Sequence, residues 1–451
     1  MKKQSKLLIL LCIGCLGLTA CGGDLSLFPT PQATGFVKLF GGTRDSEGRD
    51  MIFQPSTGNY TLIGSYGQES PNKVNNASLN YYDMYIAHTD VNGNLQWQMS
   101  VTIDSTNNTG LTGYLKMYQM EGVDIIAASD KRWCALANVS PLPDANIQSN
   151  RILIVDVKEG QIPDPETDFY YVNPIDFSAT AYDMITTPDG GFLVLGHVER
   201  DANGRDAWLV KLNANFEQEW ERQYDFQAQD EYPAVVEALP GGGYALLMSS
   251  FENKVSFDFS AHLFILDNDG NELATKKMGS GYLDAVEMQI EGQDIFVLVT
   301  VEDDTENPVS QTVARIYRLD RASLQAEVFA EFGATEGSLA FATDFDRLPD
   351  GGFIVASVAD RLFLDQPSTD STKFRTSYDY MIQKIEPSGG LSDPQDWPVY
   401  IGDSGYDVPA SISAITSLGE VEGYVVGGTM GFGPSGTMAL IKLDANGDFS
   451  P

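Results

Sequence analysis

The chain has 451 residues, with 63 Asp and Glu against 28 Lys and Arg, a formal charge of −35, and 43% apolar residues of which aromatics make 11% of the chain. That apolar content excludes a disordered chain. The acidic excess excludes a nucleic-acid partner and attraction to an anionic membrane surface, because binding phosphate needs a cationic face.

Residues 1–20 read as a secretory signal, with Lys2, Lys3 and Lys6 ahead of an apolar run from Leu7 to Ala20. As a helix this run is about 21 Å long, too short to span the hydrocarbon core. Leu18-Thr19-Ala20-Cys21 resembles a bacterial lipobox, which implies lipidation of Cys21, a mature chain starting there, and an outer-membrane address because Gly22 rather than Asp follows. Loss of the signal removes three lysines and deepens the formal charge to −38. It also removes Cys12 and Cys15, so Cys134 is left without a disulfide partner. Residues 21–34 read as a flexible tether, and residues 35–451 as one domain.

Within that domain a short apolar run recurs seven times, anchored at Tyr60, Ile125, Phe192, Tyr244, Ile295, Phe353 and Tyr424. A glycine turn precedes each run: Thr57-Gly58-Asn59, Glu121-Gly122-Val123, Asp189-Gly190-Gly191, Gly241-Gly242-Gly243, Glu291-Gly292-Gln293, Asp350-Gly351-Gly352 and Glu422-Gly423. Glycine supplies the positive φ that tight hairpins need. A variable loop follows, then a third strand such as Trp208 to Asn213 or Met438 to Asp444, a second turn such as Val91-Asn92-Gly93-Asn94, and a fourth strand with Trp97, Trp220 or Trp397 near its start. Seven four-stranded meanders without a helical period predict an all-β, seven-bladed β-propeller of four-stranded antiparallel blades. The seventh copy stops at Pro451 without a fourth strand, and Gly35 to Gly42 aligns with the sixth copy's fourth strand, Trp397 to Gly402. The N-terminal strand is therefore expected to close the last blade and hide its edge.

The D-G-G-[FY] of Asp189 to Phe192 and Asp350 to Phe353, with the K-L-D-x-N-G of Lys442 to Gly447 and the Asp90 to Trp97 segment, resembles the propeller repeats of secreted and lipid-anchored Bacteroidota proteins. It is similar to the SBBP-type repeat and more remotely to PQQ-like blades. Copies two and five depart furthest from the pattern. The resemblance implies a fold and not an activity, since propellers host many unrelated functions.

Chemistry-bearing motifs are sparse. The turns at Asp90, Asp267 and Asp444 have glycine fourth rather than sixth, and so read as hairpins rather than calcium loops. Gly431 to Gly436 satisfies G-x-G-x-x-G but leads into a strand rather than a helix. Gly402-Asp403-Ser404-Gly405 falls in a blade-to-blade loop, and the three histidines, His88, His197 and His262, sit on or at the end of strands. No nucleophile, metal cluster or cofactor motif emerges. Asp50, Asp183, Asp284, Asp83, Asp206 and Asp379 recur at strand openings and read as groups that hold loop backbone.

The second-to-third and blade-to-blade loops share one face, and loops on a rigid frame carry function. Tyr82, Trp133, Phe251, Phe374 and Tyr406 are the aromatic binding candidates there. The expectation is a non-catalytic, lipid-anchored outer-membrane propeller, monomeric or within an envelope complex, that binds a protein or glycan at this face and uses no cofactor. The alternatives are a carbohydrate-active enzyme with acids at the channel mouth, and a scaffold subunit of an outer-membrane assembly. Asp104-Ser105-Thr106 and Asp370-Ser371-Thr372 fit a short O-glycosylation pattern.

Overall fold

The computed structural model describes residues 35–42, 45–69, 80–102, 118–129, 131–141, 149–173, 178–199, 204–226, 230–253, 258–279, 282–303, 311–333, 339–360, 378–393, 396–402, 405–432 and 435–448. Seven four-stranded antiparallel sheets follow one another along the chain, and among the described residues there is no helix. After β1 (Phe36–Phe40), the first blade holds β2 (Ser46–Gln54), β3 (Asn59–Glu69), β4 (Asn80–Thr89) and β5 (Leu95–Val101). The second holds β6 (Tyr118–Ser129), β7 (Arg132–Pro141), β8 (Arg151–Lys158) and β9 (Phe169–Tyr171). The third holds β10 (Ser178–Thr186), β11 (Phe192–Glu199), β12 (Arg205–Leu212) and β13 (Gln218–Tyr224). The fourth holds β14 (Glu231–Ala238), β15 (Tyr244–Asn253), β16 (Asp258–Leu266) and β17 (Glu272–Met278). The fifth holds β18 (Tyr282–Glu291), β19 (Asp294–Asp303), β20 (Gln311–Asp320) and β21 (Ala326–Phe332). The sixth holds β22 (Leu339–Arg347), β23 (Phe353–Asp360), β24 (Tyr378–Ile385) and β25 (Val399–Ile401). The seventh holds β26 (Val408–Ser417), β27 (Glu420–Phe432) and β28 (Ser435–Asp444).

The first strand of each blade contacts the first strand of the next, and β26 returns to β2, so the ring is closed. Its closure is the one expected: β1 supplies the missing outer strand and pairs antiparallel with β28, from Phe36 opposite Lys442 to Phe40 opposite Met438.

Each repeated motif has a local cause. In the D-G-G turns Gly190 and Gly351 adopt φ of +82° and +95°. Asp189 Oδ1 accepts the Gly191 amide at 3.1 Å, and Asp350 Oδ1 accepts the Gly352 amide at 2.8 Å. In the second turn type Asp90 Oδ1 accepts the amides of Asn92 and Asn94, both at 2.9 Å, and Asp267 and Asp444 do the same for their own turns. These are Asx turns, in which a short acidic side chain replaces a backbone acceptor.

Two predicted turns are misplaced. In the second blade Glu121-Gly122-Val123 lies inside β6, and the run at Ile125 is the inner strand; the chain turns between Ser129 and Arg132, so the strand predicted at Ile125 is β7. Gly122 is small because the Gly64 carbonyl and Ile63 of the preceding blade press against it. In the seventh blade the turn falls at Leu418 and Gly419, with φ of +54° and +84°, and Glu422-Gly423 lies within β27.

Apolar burial is organised by seams. Seven buried clusters correspond to the seven contacts between adjacent blades, such as Leu136 and Ile154 against Phe192 and Trp208 between blades two and three. The seam between blades seven and one carries Phe40 of β1 with Tyr60, Leu62 and Leu440. Cys134 is buried in the second seam, and burial pushes its thiol up to about 12, so it is an inert apolar side chain there.

Deleting residues 35–42 leaves β28 as an open edge and removes Phe40 from its seam. The expected outcome is a melting temperature lower by about 10 °C or more, or aggregation, in scanning calorimetry with light scattering. A deletion variant that melts like the parent contradicts closure by β1.

Candidate functional site: a carboxylate-ringed channel beneath an aromatic mouth

Every inner strand carries a β-bulge at the same place. The ladder skips one residue between Gly48 and Asp50, Gly122 and Asp124, Ala181 and Asp183, Pro233 and Val235, Ala285 and Glu287, Ala342 and Asp344, and Pro409 and Ser411. A bulge re-aims side chains and increases local twist. Arg49, Tyr182, Ala234, Thr343 and Ala410, all bulge residues, line both an outer cavity of about 1080 Å³ and a deeper one of about 420 Å³. They form the neck of one funnel.

The residue after the bulge is a carboxylate in five blades: Asp50, Asp124, Asp183, Glu287 and Asp344. Four of these reach across a seam to the next blade. Asp50 Oδ2 accepts the Ile125 amide at 3.2 Å, Asp124 Oδ2 the Met184 amide at 2.7 Å, Asp183 Oδ2 the Val236 amide at 2.8 Å, and Asp344 Oδ2 the Ile412 amide at 2.6 Å. Asp346 repeats the stitch one layer down, accepting the Ala414 amide at 2.8 Å. Glu287 instead accepts its neighbouring Met288 amide at 2.8 Å.

The surroundings favour protonation. Burial raises Asp50, and burial together with the charges of Asp50 and Asp183 holds Asp124 well above the usual carboxylate range. Burial pushes Asp183 up to about 6 and, with the Asp183 charge added, Glu237 up to about 7. Burial, then Asp344 and Asp183, raises Glu287 in the same way. Asp50 and Asp124 lie in hydrogen-bonding reach of each other, so a shared proton relieves their repulsion. The channel is thus a belt of half-buried carboxyls, several of them already engaged by amides.

Above the neck the funnel opens on the face of the second-to-third and blade-to-blade connections. Its wall carries the rings of Tyr232, Phe259, Phe341 and Tyr406 and the carboxylates of Asp45, Glu47 and Asp284. Arg205 lies over the Tyr232 ring at 5.5 Å, and Tyr182 Oη is 3.1 Å from His197 Nδ1. His197 is pushed down to about 4 by burial and by Arg205, so the imidazole is neutral and serves as a support for Tyr182.

The sequence candidates distribute unevenly. Tyr406 lines the mouth, 55% exposed, with Tyr378 edge-on at 5.3 Å. Phe251 packs against Tyr232 and Phe259, with ring centroids 5.6 and 3.9 Å away, and so backs the wall. Tyr82 donates from Oη to Asp45 Oδ2 at 3.1 Å and orients that rim carboxylate. Trp133 is not at this face: it is fully buried on β7 with His88 and Trp97, at centroid distances of 5.1 and 5.3 Å, because its strand register differs from the predicted loop. Cys21, Phe374 and the two Asp-Ser-Thr segments lie outside the described residues.

Among the predicted acids, Asp50 and Asp183 do hold backbone, but across a blade seam rather than within a loop. Asp284 is not their equivalent: it precedes the bulge, sits at the mouth and accepts from Ser249 Oγ at 2.9 Å. Glu287 holds the equivalent place. The missed residues, Asp124, Glu287 and Asp344, share with Asp50 and Asp183 a readable signal, a carboxylate followed by a large apolar residue, as in Asp50-Met51, Asp124-Ile125, Asp183-Met184, Glu287-Met288 and Asp344-Phe345.

No family model matches the chain, and no curated protein matches it. Among solved structures it is similar to a puromycin-hydrolysing peptidase of Mycobacterium tuberculosis, at 14% identity and a TM-score of 0.45, over 92% of this chain and 54% of that one. It is also similar to a protein of unknown function from Dyadobacter fermentans, at 11% identity and a TM-score of 0.44, over 72% of this chain and 94% of that one. A third is an α-L-arabinofuranosidase of Fusarium graminearum, at 9% identity and a TM-score of 0.40, over 71% of this chain and 91% of that one. The chain spans about half the length of the first of these.

A carboxyl with a higher pKa folded than unfolded binds its proton more tightly in the native state. Its contribution to stability is full below the unfolded value and is lost as pH rises through the folded one. For Glu237 that window runs from its ordinary 4.5 to about 7, and for Asp183 from 3.8 to about 6. The melting temperature is therefore expected to fall as pH rises across this range, and Glu237→Gln or Asp183→Asn to flatten the fall. Parallel wild-type and variant melts at stepped pH check it; identical slopes refute it.

Proposed function

We propose that this propeller is a non-catalytic receptor, lipid-anchored to the outer membrane through Cys21, that binds a neutral or basic oligosaccharide in the funnel of its long-loop face. The observation that carries the reading is the pairing of ring faces with carboxylates around one concave mouth of about 1080 Å³. Flat rings take the C–H face of a pyranose, and carboxylates accept its hydroxyls. A volume of this size exceeds what a single small metabolite fills. Acids on the rim disfavour anionic sugars by Coulomb repulsion in a partly desolvated space. A non-catalytic role fits the belt of acids below, since Asp50, Asp124, Asp183 and Asp344 already accept amides of the neighbouring blade.

A carbohydrate-active enzyme is the second reading, favoured by one observation. Glu237, pushed up to about 7 by burial beneath the mouth, has the protonation behaviour a general acid needs near neutral pH.

The test is calorimetric titration with neutral oligosaccharides, accompanied by a product assay. Tyr406→Ala and Tyr232→Ala are each expected to weaken binding by about tenfold, as for removal of an aromatic anchor. Glu237→Gln should leave binding intact with no turnover to lose. Turnover in the wild type that Glu237→Gln abolishes supports the enzyme, and capture of a protein without any sugar affinity overturns the glycan receptor.

A further inference from the structure

Outside the funnel, three carboxylates meet at the seam between blades three and four. Asp206 is the second residue of β12, Asp225 follows the end of β13, and Glu231 opens β14. One oxygen from each lies within 4.8 Å of the others. The three differ in exposure: Asp225 is exposed, Asp206 is half-buried and Glu231 is sealed, with no accessible surface. The cluster is therefore open to solvent at one end and closed at the other.

Glu231 carries the second observation. Both of its carboxylate oxygens are buried without a hydrogen-bond partner. Burial pushes Glu231 up to about 8, with a smaller opposing effect of the Phe226 amide and further upward pushes from Asp225 and Asp206. A buried carboxylate left in that condition loses its hydration with nothing in return.

The same position in other blades is answered differently. Asp407 stands four residues before the post-bulge Ser411, as Glu231 stands four before Val235, and its Oδ1 accepts the Gly431 amide at 2.8 Å. Ser46, four before Asp50, donates from Oγ to the Phe40 carbonyl at 3.1 Å. Glu231, one methylene longer than Asp407, instead lies beside two further carboxylates.

We propose that Asp206, Asp225 and Glu231 form a binding site for a hard divalent cation, calcium by preference. The donor set is all oxygen, which excludes the soft-ligand metals. Calcium takes oxygens at roughly 2.4 Å, so two ligands on opposite sides of one ion are about 4.8 Å apart, the outer limit of this cluster. Three carboxylates leave room for waters on the Asp225 side, and calcium tolerates such irregular shells better than magnesium does. The ion would tie the third strand of blade three, the blade-to-blade connection and the first strand of blade four together. Tyr232, next to Glu231, lines the mouth, so the same ion would stiffen that wall of the funnel. The site does not depend on what the funnel binds.

Calcium titration of the purified, chelator-stripped full chain in detergent, followed by thermal melts, tests the proposal. One saturable site is expected, with a melting temperature raised by about 3 °C or more at about 1 mM calcium. Glu231→Gln and Asp225→Asn should each remove the saturable uptake and the shift. Should Glu231→Gln not fold, Asp225→Asn, an exposed substitution, decides. Absence of saturable uptake in the wild type overturns the site. So does uptake that survives both substitutions, which would mark diffuse attraction to an acidic surface.

Discussion

The ring depends on one repeated interaction: a carboxylate placed just after a bulge in an inner strand accepts a backbone amide of the next blade. The ring has seven seams, and this contact is made at four of them. Asp50, Asp124, Asp183 and Asp344 make it with a side chain from the neighbouring sheet. Each such contact is shielded from bulk water, where a hydrogen bond is worth more than at the surface. Apolar clusters at the seams supply the bulk of the stabilisation, but they are non-directional. The carboxylates set which residue of one blade meets which residue of the next.

This arrangement explains why the channel is acidic although the protein already carries a large negative charge. Carboxylates crowded around one axis repel one another, and protonation is the available relief, which is why burial and neighbouring charge both push Asp124 and Glu287 upward. The aromatic mouth sits directly above, on bulge residues such as Tyr182. Scaffold and candidate site therefore share residues, and a change at the neck acts on both.

The architecture was legible because its signals are local. Asp189 binds the Gly191 amide within three residues, and Asp90 binds Asn94 within five, so each turn is written in a contiguous segment. The two misplaced turns, at Glu121-Gly122 and Glu422-Gly423, arose where glycine serves close packing rather than positive φ, as with Gly122 against Gly64 and Gly423 against the Leu443 carbonyl. The site was harder to read. Tyr182, Tyr232, Phe259 and Phe341 come from three different blades and converge only through the ring, while Trp133 had the composition of a surface aromatic but the register of a core strand. Glu231 differs from Asp407 by one methylene group, and its consequence appears only when Asp206 and Asp225 are brought beside it.

The pairing of β1 with β28 places the two ends of the described chain side by side. Asp448 sits in the Asx turn that, at Asp90 to Asn94, leads straight into a fourth strand, and Phe36 lies opposite Lys442 on the adjoining strand. The circle consequently has no privileged starting blade. A short linker joining residue 448 to residue 35 would make the seventh blade covalently like the other six, and the chain could then be cut at another hairpin, such as Gly241 to Gly243. Such a circular permutant would keep every seam while moving the non-covalent clasp from the seventh blade to the fourth.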